Sequence, residues 1–250
     1  MTPPLTAAGF ESPSLAPAGG GAEAAYELKF LLDEGRAGEV EVWARRRLAL
    51  DPHGDAALGG AYRTTSLYCD TAAFDVFHGT RGHRRHKYRL RRYGEATWAF
   101  LERKSKWGDR VEKRRSRAGE EALPLLEELF APGDWEAAWF TEELRAAGLR
   151  PALRVAYERA AFMGATPDGP VRLTLDRHIA AAPALAWSLP ELLAGEPVLT
   201  GQVIVELKFQ AALPALFKGL VAALGLVPSA VSKYRHGLQA CGLPPGGARA

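Results

Sequence analysis

Apolar and polar side chains alternate with period two over many short stretches of this chain. Residues two apart in a strand share a face, so each stretch reads as a strand with one charged and one apolar side. Around Tyr26-Glu27-Leu28-Lys29-Phe30, Glu27 and Lys29 oppose Tyr26, Leu28 and Phe30. At 202–210, Glu206 and Lys208 oppose Val205, Leu207 and Phe209. The letters Glu-Leu-Lys-Phe therefore occur twice, at 27–30 and 206–209. Residues 62–70 form a Thr- and Tyr-rich strand, 153–161 place Val155, Tyr157 and Arg159 together, and 171–176 set Arg172, Thr174 and Asp176 against Val171, Leu173 and Leu175.

A basic meander lies between these strands. Lys87, Arg89 and Arg91 share one face of its first run, and Tyr93-Gly94-Glu95-Ala96 turns the chain. Trp98, Phe100, Glu102, Lys104 and Lys106 share a face of the second run; Val111, Lys113, Arg115 and Arg117 share a face of the third. Helical spacing takes over at 37–50, with Val40, Trp43, Ala44 and Leu48 inward, and again at 120–130 and 134–149. A further helix is expected at 213–224, with Pro214 in its first turn. Ser229 is expected to cap a last helix that runs to Cys241 and carries Lys233. Residues 71–78 read as a short helix or turn, and 180–201 as an irregular connection. Residues 1–22 and 244–250 read as tails around one domain at 23–243.

Charge sharpens this picture. The formal net charge is only +3, yet fourteen of the 32 Lys and Arg residues lie between Arg84 and Arg117. A row of fixed cations on a rigid sheet repels itself unless an anion sits among it, so a local anion site is expected. Two unpaired cysteines, Cys69 and Cys241, argue against a disulfide framework and a structural zinc site. His83 and His86 sit among arginines without carboxylates, which argues against a metal there. There is no apolar run of membrane-spanning length and no secretion signal, so a cytoplasmic protein is expected. The absence of a GxxxxGK[ST] loop excludes a P-loop enzyme.

The order of short motifs carries a resemblance. Tyr26-Glu27-Leu28-Lys29-Phe30, Leu67-Tyr68-Cys69-Asp70-Thr71, Arg89-Leu90-Arg91, Glu102-Arg103-Lys104, Tyr157-Glu158-Arg159, Arg172-Leu173-Thr174-Leu175-Asp176, Val205-Glu206-Leu207-Lys208-Phe209 and Ser232-Lys233-Tyr234 follow one another. Together they resemble the VTC domain, the polyphosphate polymerase domain of the triphosphate tunnel metalloenzyme, or CYTH-like, superfamily. The resemblance implies an α+β fold: a closed antiparallel β-barrel with helices packed outside and charged faces turned into its lumen. It implies phosphate ligands at Lys29, Arg89, Arg91, Lys104, Lys113, Arg159 and Arg172, and a lysine near the reacting phosphate at Lys233. It also implies a metal carboxylate at Glu206, with Glu27 and Glu102 as further ligands. Asp176 fits either a metal or an ion pair with a tunnel arginine.

The residue types suit the implied chemistry. Phosphoryl transfer asks a protein for positioning and charge stabilisation. Arg forks match phosphate oxygens, and Lys supplies point charges. A hard divalent ion, Mg²⁺ or Mn²⁺, needs carboxylate oxygens among the cations. The expected partners are ATP and polyphosphate. The rival readings are hydrolysis of tripolyphosphate or nucleoside triphosphates in the same tunnel, and a polyphosphate-binding module without turnover. Nucleic-acid binding ranks last, because a closed tunnel admits no duplex.

Overall fold

The computed structural model describes residues 26–107, 110–127, 135–190 and 193–243. The tails at 1–22 and 244–250 lie outside them, as do the ends of the expected helices at 128–130 and 134.

Ten strands form one antiparallel sheet. They are β1 (Tyr26–Asp33), β2 (Ala49–Leu50), β3 (Ala61–Asp70), β4 (His86–Tyr93), β5 (Trp98–Trp107), β6 (Arg110–Gly119), β7 (Arg150–Thr166), β8 (Gly169–Pro183), β9 (Glu196–Pro197) and β10 (Gln202–Phe209). The helices are α1 (Glu34–Arg47), α2 (Asp75–His78), α3 (Ala138–Ala146), α4 (Ala215–Ala223) and α5 (Lys233–Ala240). The main order is β1-β10-β8-β7-β3-β4-β5-β6, with β2 added to β7 and β9 to β8.

The α+β class holds, but the closed barrel does not. Among the described residues β1 and β6 end the sheet without pairing to each other. The sheet curls instead, until side chains from its two ends meet: Lys104 Nζ of β5 lies 3.6 Å from Glu27 Oε2 of β1. Native strand twist favours such coiling, and here an ion pair spans the seam.

Alternation settles which face is which. Phe30, Leu173, Leu175, Val205 and Leu207 turn outward and are buried against α1 and α4, whose Ala37, Val40, Ala44, Phe217 and Leu220 complete that core. A second core gathers Leu67, Leu90 and Leu101 of β3–β5 with Phe140 and Leu144 of α3. Asp33 caps α1, its Oδ1 accepting from the Arg36 amide at 2.9 Å.

Four local differences have clear causes. Residues 120–126 form a 3₁₀ turn with Pro124 inside it, because proline lacks the amide an α-helix would use there. The strands at 150–166 and 169–183 are much longer than the alternation predicts. Pro167-Asp168-Gly169 joins them as a tight turn, with Gly169 at φ +107°, a conformation glycine tolerates. Part of the expected irregular stretch thus continues β8. The cap of α5 is Ser232 rather than Ser229, since the Ser229 amide donates instead to the Lys29 carbonyl of β1 at 2.8 Å.

Phe162 is fully buried on β7. Phe162→Ala is expected to lower unfolding stability by about 3–5 kcal/mol, read from the denaturation midpoint. Val42→Ala, at a half-exposed position, is expected to change it by less than about 0.5 kcal/mol.

Candidate functional site

The inner face of the curl carries the charged halves of the strands. Register alone brings acid and base together. Lys29 lies opposite Glu206 and Glu27 opposite Lys208 across β1 and β10. Lys29 Nζ is 3.0 Å from Glu27 and 3.3 Å from Glu206, and Lys208 Nζ is 3.5 and 3.8 Å from the same two carboxylates. Across β7 and β8, Arg159 lies opposite Asp176 and donates to it twice, from Nε at 2.6 Å and Nη2 at 2.7 Å. Asp176 thus forms the expected ion pair with a basic residue of this face. Across β4 and β5, Arg89 Nε donates to Glu102 at 2.7 Å, and Lys113 of β6 pairs with the same carboxylate.

α5 lies over one end of this face. Gly237 packs close to the side chains of Leu153, Val155 and Ala181, where a larger residue would push the helix away. The Tyr234 hydroxyl donates to Asp70, whose carboxylate also accepts the amides of Val76 and Phe77 at 2.8 and 3.0 Å. Held this way, Lys233 in the first turn points inward. Its ammonium pairs with Asp176, sits 3.6 Å from Glu206 and 4.8 Å above the Tyr157 ring.

These groups line one cavity of about 110 Å³. Of the sequence-derived ligands, Lys29, Arg89, Arg91, Lys104, Arg159, Lys233, Glu206 and Glu27 line it. Lys113, Arg172 and Glu102 do not. Glu102 is buried beneath Arg89 and Lys113, and Arg172 turns away to Asp51 and the Tyr62 hydroxyl, each at 2.9 Å. Eight further residues line it, among them Lys87, Lys208, Tyr68 and Tyr157. Period-two alternation puts Lys87 on the face of Arg89 and Arg91, and Lys208 on that of Glu206, so the signal for both was present. Tyr157 had a weaker one. Its hydroxyl is buried without a hydrogen-bond partner, free to donate to an anion.

Electrostatics follow from crowding. Burial and the neighbouring Glu206 push the Glu27 carboxyl up, but Lys208, Lys29 and Lys104 outweigh them and hold it below the usual range. Glu206 is likewise held well below it: burial opposes ionisation, and Lys29, Lys233 and Lys208 overcome it. Lys233 is raised because Asp176 and Glu206 outweigh its burial. Lys104 goes the other way. Burial, then Lys208 and Lys29 against the attraction of Glu27, bring it down to about 8.

The donor set bears on a metal. Among the described residues no three His, Cys, Asp or Glu side chains converge to hold an ion. Glu27 and Glu206 flank the same two lysines, and Mg²⁺ and Mn²⁺ are commonly held by one or two carboxylates with phosphate oxygens and water completing the shell. These two carboxylates fit an ion that arrives with a phosphate ligand. Glu102, committed to Arg89 and Lys113, stands apart from them.

A curled antiparallel sheet carries a basic cavity on its inner face. A sequence profile of the VTC domain matches residues 24–241, and the chain belongs to that family. A solved structure shares the fold. A candidate adenylate cyclase from Bacillus halodurans superposes with a TM-score of 0.54 at 12% identity, over 85% of this chain and 95% of that one. A candidate adenylyl cyclase from Hippeastrum, described as having a dominant triphosphatase activity, is similar at a TM-score of 0.49 and 15% identity, over 89% and 98% of the two chains. No match to this chain is found among curated proteins.

NMR titration of labelled lysines is expected to find Lys104 losing its proton near pH 8, with Lys104→Arg abolishing that transition. A Lys104 midpoint at the ordinary lysine value of 10.5 contradicts the crowding described here.

Proposed function

We propose that this chain is a polyphosphate polymerase-like phosphotransferase that moves the γ-phosphate of ATP onto a polyphosphate chain. The observation supporting this reading is the convergence of Arg91, Arg159 and Lys233, all nearly buried, on one cavity rimmed by lysines. Guanidinium forks at the deep end would grip equatorial phosphate oxygens, and mouth lysines would neutralise the rest of the triphosphate. An oxygen of the polyphosphate end attacks the γ-phosphorus in line. The bond from that phosphorus to the β–γ bridging oxygen breaks, and ADP leaves with the electron pair. Lys233, tethered between Asp176 and Glu206, holds its proton and places positive charge where negative charge develops. Tyr157 donates from its unpartnered hydroxyl. Glu206 and Glu27 would hold Mn²⁺ or Mg²⁺, which would supply Lewis-acid charge neutralisation.

Hydrolysis is the second reading. The side chains of Lys104 and Lys208 are 36% and 29% exposed, so water reaches the mouth and can take the acceptor's place.

Incubation of the protein with ATP and Mn²⁺ is expected to yield polyphosphate and ADP, and Lys233→Ala to lower the rate by about a hundredfold. Orthophosphate without polymer selects the hydrolase; an unchanged Lys233→Ala rate removes that lysine from the mechanism. The pH dependence has a definite sign. A bound anion favours protonated Lys104, whose pKa in the free protein is about 8. Tripolyphosphate affinity is therefore expected to fall as pH rises through 8 in a binding titration, and to fall less for Lys104→Arg.

A further inference from the structure

Along the inward face of β4, Arg91, Arg89 and Lys87 follow one another at period two, and all three line the cavity. The two arginines have partners. Arg91 Nε donates to the Ser66 hydroxyl oxygen at 3.0 Å, and Arg89 Nε to Glu102 at 2.7 Å. Lys87 differs: among the described residues no carboxylate pairs with it. Every other lysine lining the cavity has one. Glu27 pairs with Lys29, Lys104 and Lys208, and Asp176 pairs with Lys233.

Strand register adds to the repulsion. Lys87 lies opposite Lys104, and Lys104 opposite Lys113, so three lysines stand side by side across β4, β5 and β6. Like charges directly opposite one another destabilise a sheet. Glu27 relieves Lys104 and Glu102 relieves Lys113. The third member of the row is left with more cations: Lys29, Arg235 and Arg89 act on it, and the Tyr68 phenol is the favourable neighbour. Arg235 is fixed in place, donating to the Phe77 carbonyl and lying 4.5 Å over the Phe77 ring. Val231, Ser232 and Tyr234, around the start of α5, line the cavity with Lys87.

We propose that Lys87 is a phosphate ligand for condensed phosphates too long for the deep cations alone, and that it thereby favours long chains over short ones. The proposal rests on the phosphate-binding reading of the preceding section and extends it. Four residues of strand separate Lys87 from Arg91, a span of about 13 Å. A pyrophosphate seated against Arg91 and Arg159 falls short of that distance. A longer chain running along β4 meets Arg91, Arg89 and Lys87 in turn. Its further phosphates bring the negative charge that the row of three lysines lacks. An ammonium on a flexible stem acts as a point charge, so it can follow a chain whose inner end the guanidinium forks hold fixed. Lys87 is itself exposed, and it meets the chain at the edge of the cavity.

The test is equilibrium titration of the whole protein, wild type, Lys87→Ala and Lys87→Arg, with pyrophosphate and with linear polyphosphate of about ten units. Comparing variant with wild type on the same ligand cancels the number of sites each chain offers. Lys87→Ala is expected to weaken the long chain about tenfold, or about 1.4 kcal/mol, while pyrophosphate stays within about twofold. Lys87→Arg keeps the charge and is expected to recover most of the loss. An equal loss on both ligands makes Lys87 a general source of field, and no loss on either makes it a solvated lysine. Each of these results overturns the proposal and leaves the phosphate-binding reading standing. A wild-type protein that binds neither ligand overturns both. Without ligand, Lys87→Ala is expected to unfold at no lower temperature than wild type, since it removes a charge set among like charges. A lowered Tm would give Lys87 a structural partner and overturn the assignment.

Discussion

Eight ammonium and guanidinium groups face a cavity to which only two carboxylates contribute. Two like charges about 4 Å apart cost about 4 kcal/mol at the effective dielectric of a protein interior near its surface. Such crowding persists only if the fold enforces it, and here strand register does so. Once β1 pairs with β10, β4 with β5, and β5 with β6, the inward cations have no freedom to separate. Glu27, Glu102, Asp176 and Glu206 relieve part of the strain through shared ion pairs, each carboxylate serving two or more cations. The unrelieved remainder appears at Lys104, where burial and two neighbouring lysines weaken the hold on the proton. A condensed phosphate would supply the missing negative charge.

The two apolar cores make this arrangement rigid. The same alternation that turns Lys29, Glu206 and Arg172 inward turns Phe30, Leu207 and Leu173 outward onto α1 and α4. A one-residue slip of register would exchange the two sets, burying charge against helices and exposing leucines, so the cost of misregister protects the site. α5 adds the one element that alternation does not govern. Its position depends on Asp70, which gathers the Tyr234 hydroxyl and three amides of the segment after β3, and on Gly237, which admits close approach to β7 and β8.

Much of this was legible in the sequence because period two has a direct geometric meaning. Knowing that Glu27 and Lys29 share a face, and that Glu206 and Lys208 share another, almost dictates a paired acid–base wall. What the pattern could not supply was axial position. Arg172 and Lys113 alternate correctly and do face inward, yet Arg172 is taken by Asp51 and Tyr62, while Lys113 lies outside the cavity beside Glu102. Closure was equally beyond the pattern. Whether the first and last strands pair depends on the accumulated curl of the whole sheet, and among the described residues the seam is bridged by Glu27 of β1 and Lys104 of β5, without a backbone ladder. Trp98 and Phe100 follow the same alternation as Glu102 and Lys104 and do share that face, where Arg117 and Arg115 lie over their rings.

The most direct test of the central claim is thermal unfolding with and without tripolyphosphate at low ionic strength. If the inward cations await an anion, ligand at about a hundred times its Kd adds about 2.7 kcal/mol of stability and raises Tm, with the gain shrinking as salt screens the cavity mouth. An unchanged Tm at saturating tripolyphosphate would show that the cations are satisfied by the four carboxylates alone, and would contradict the account.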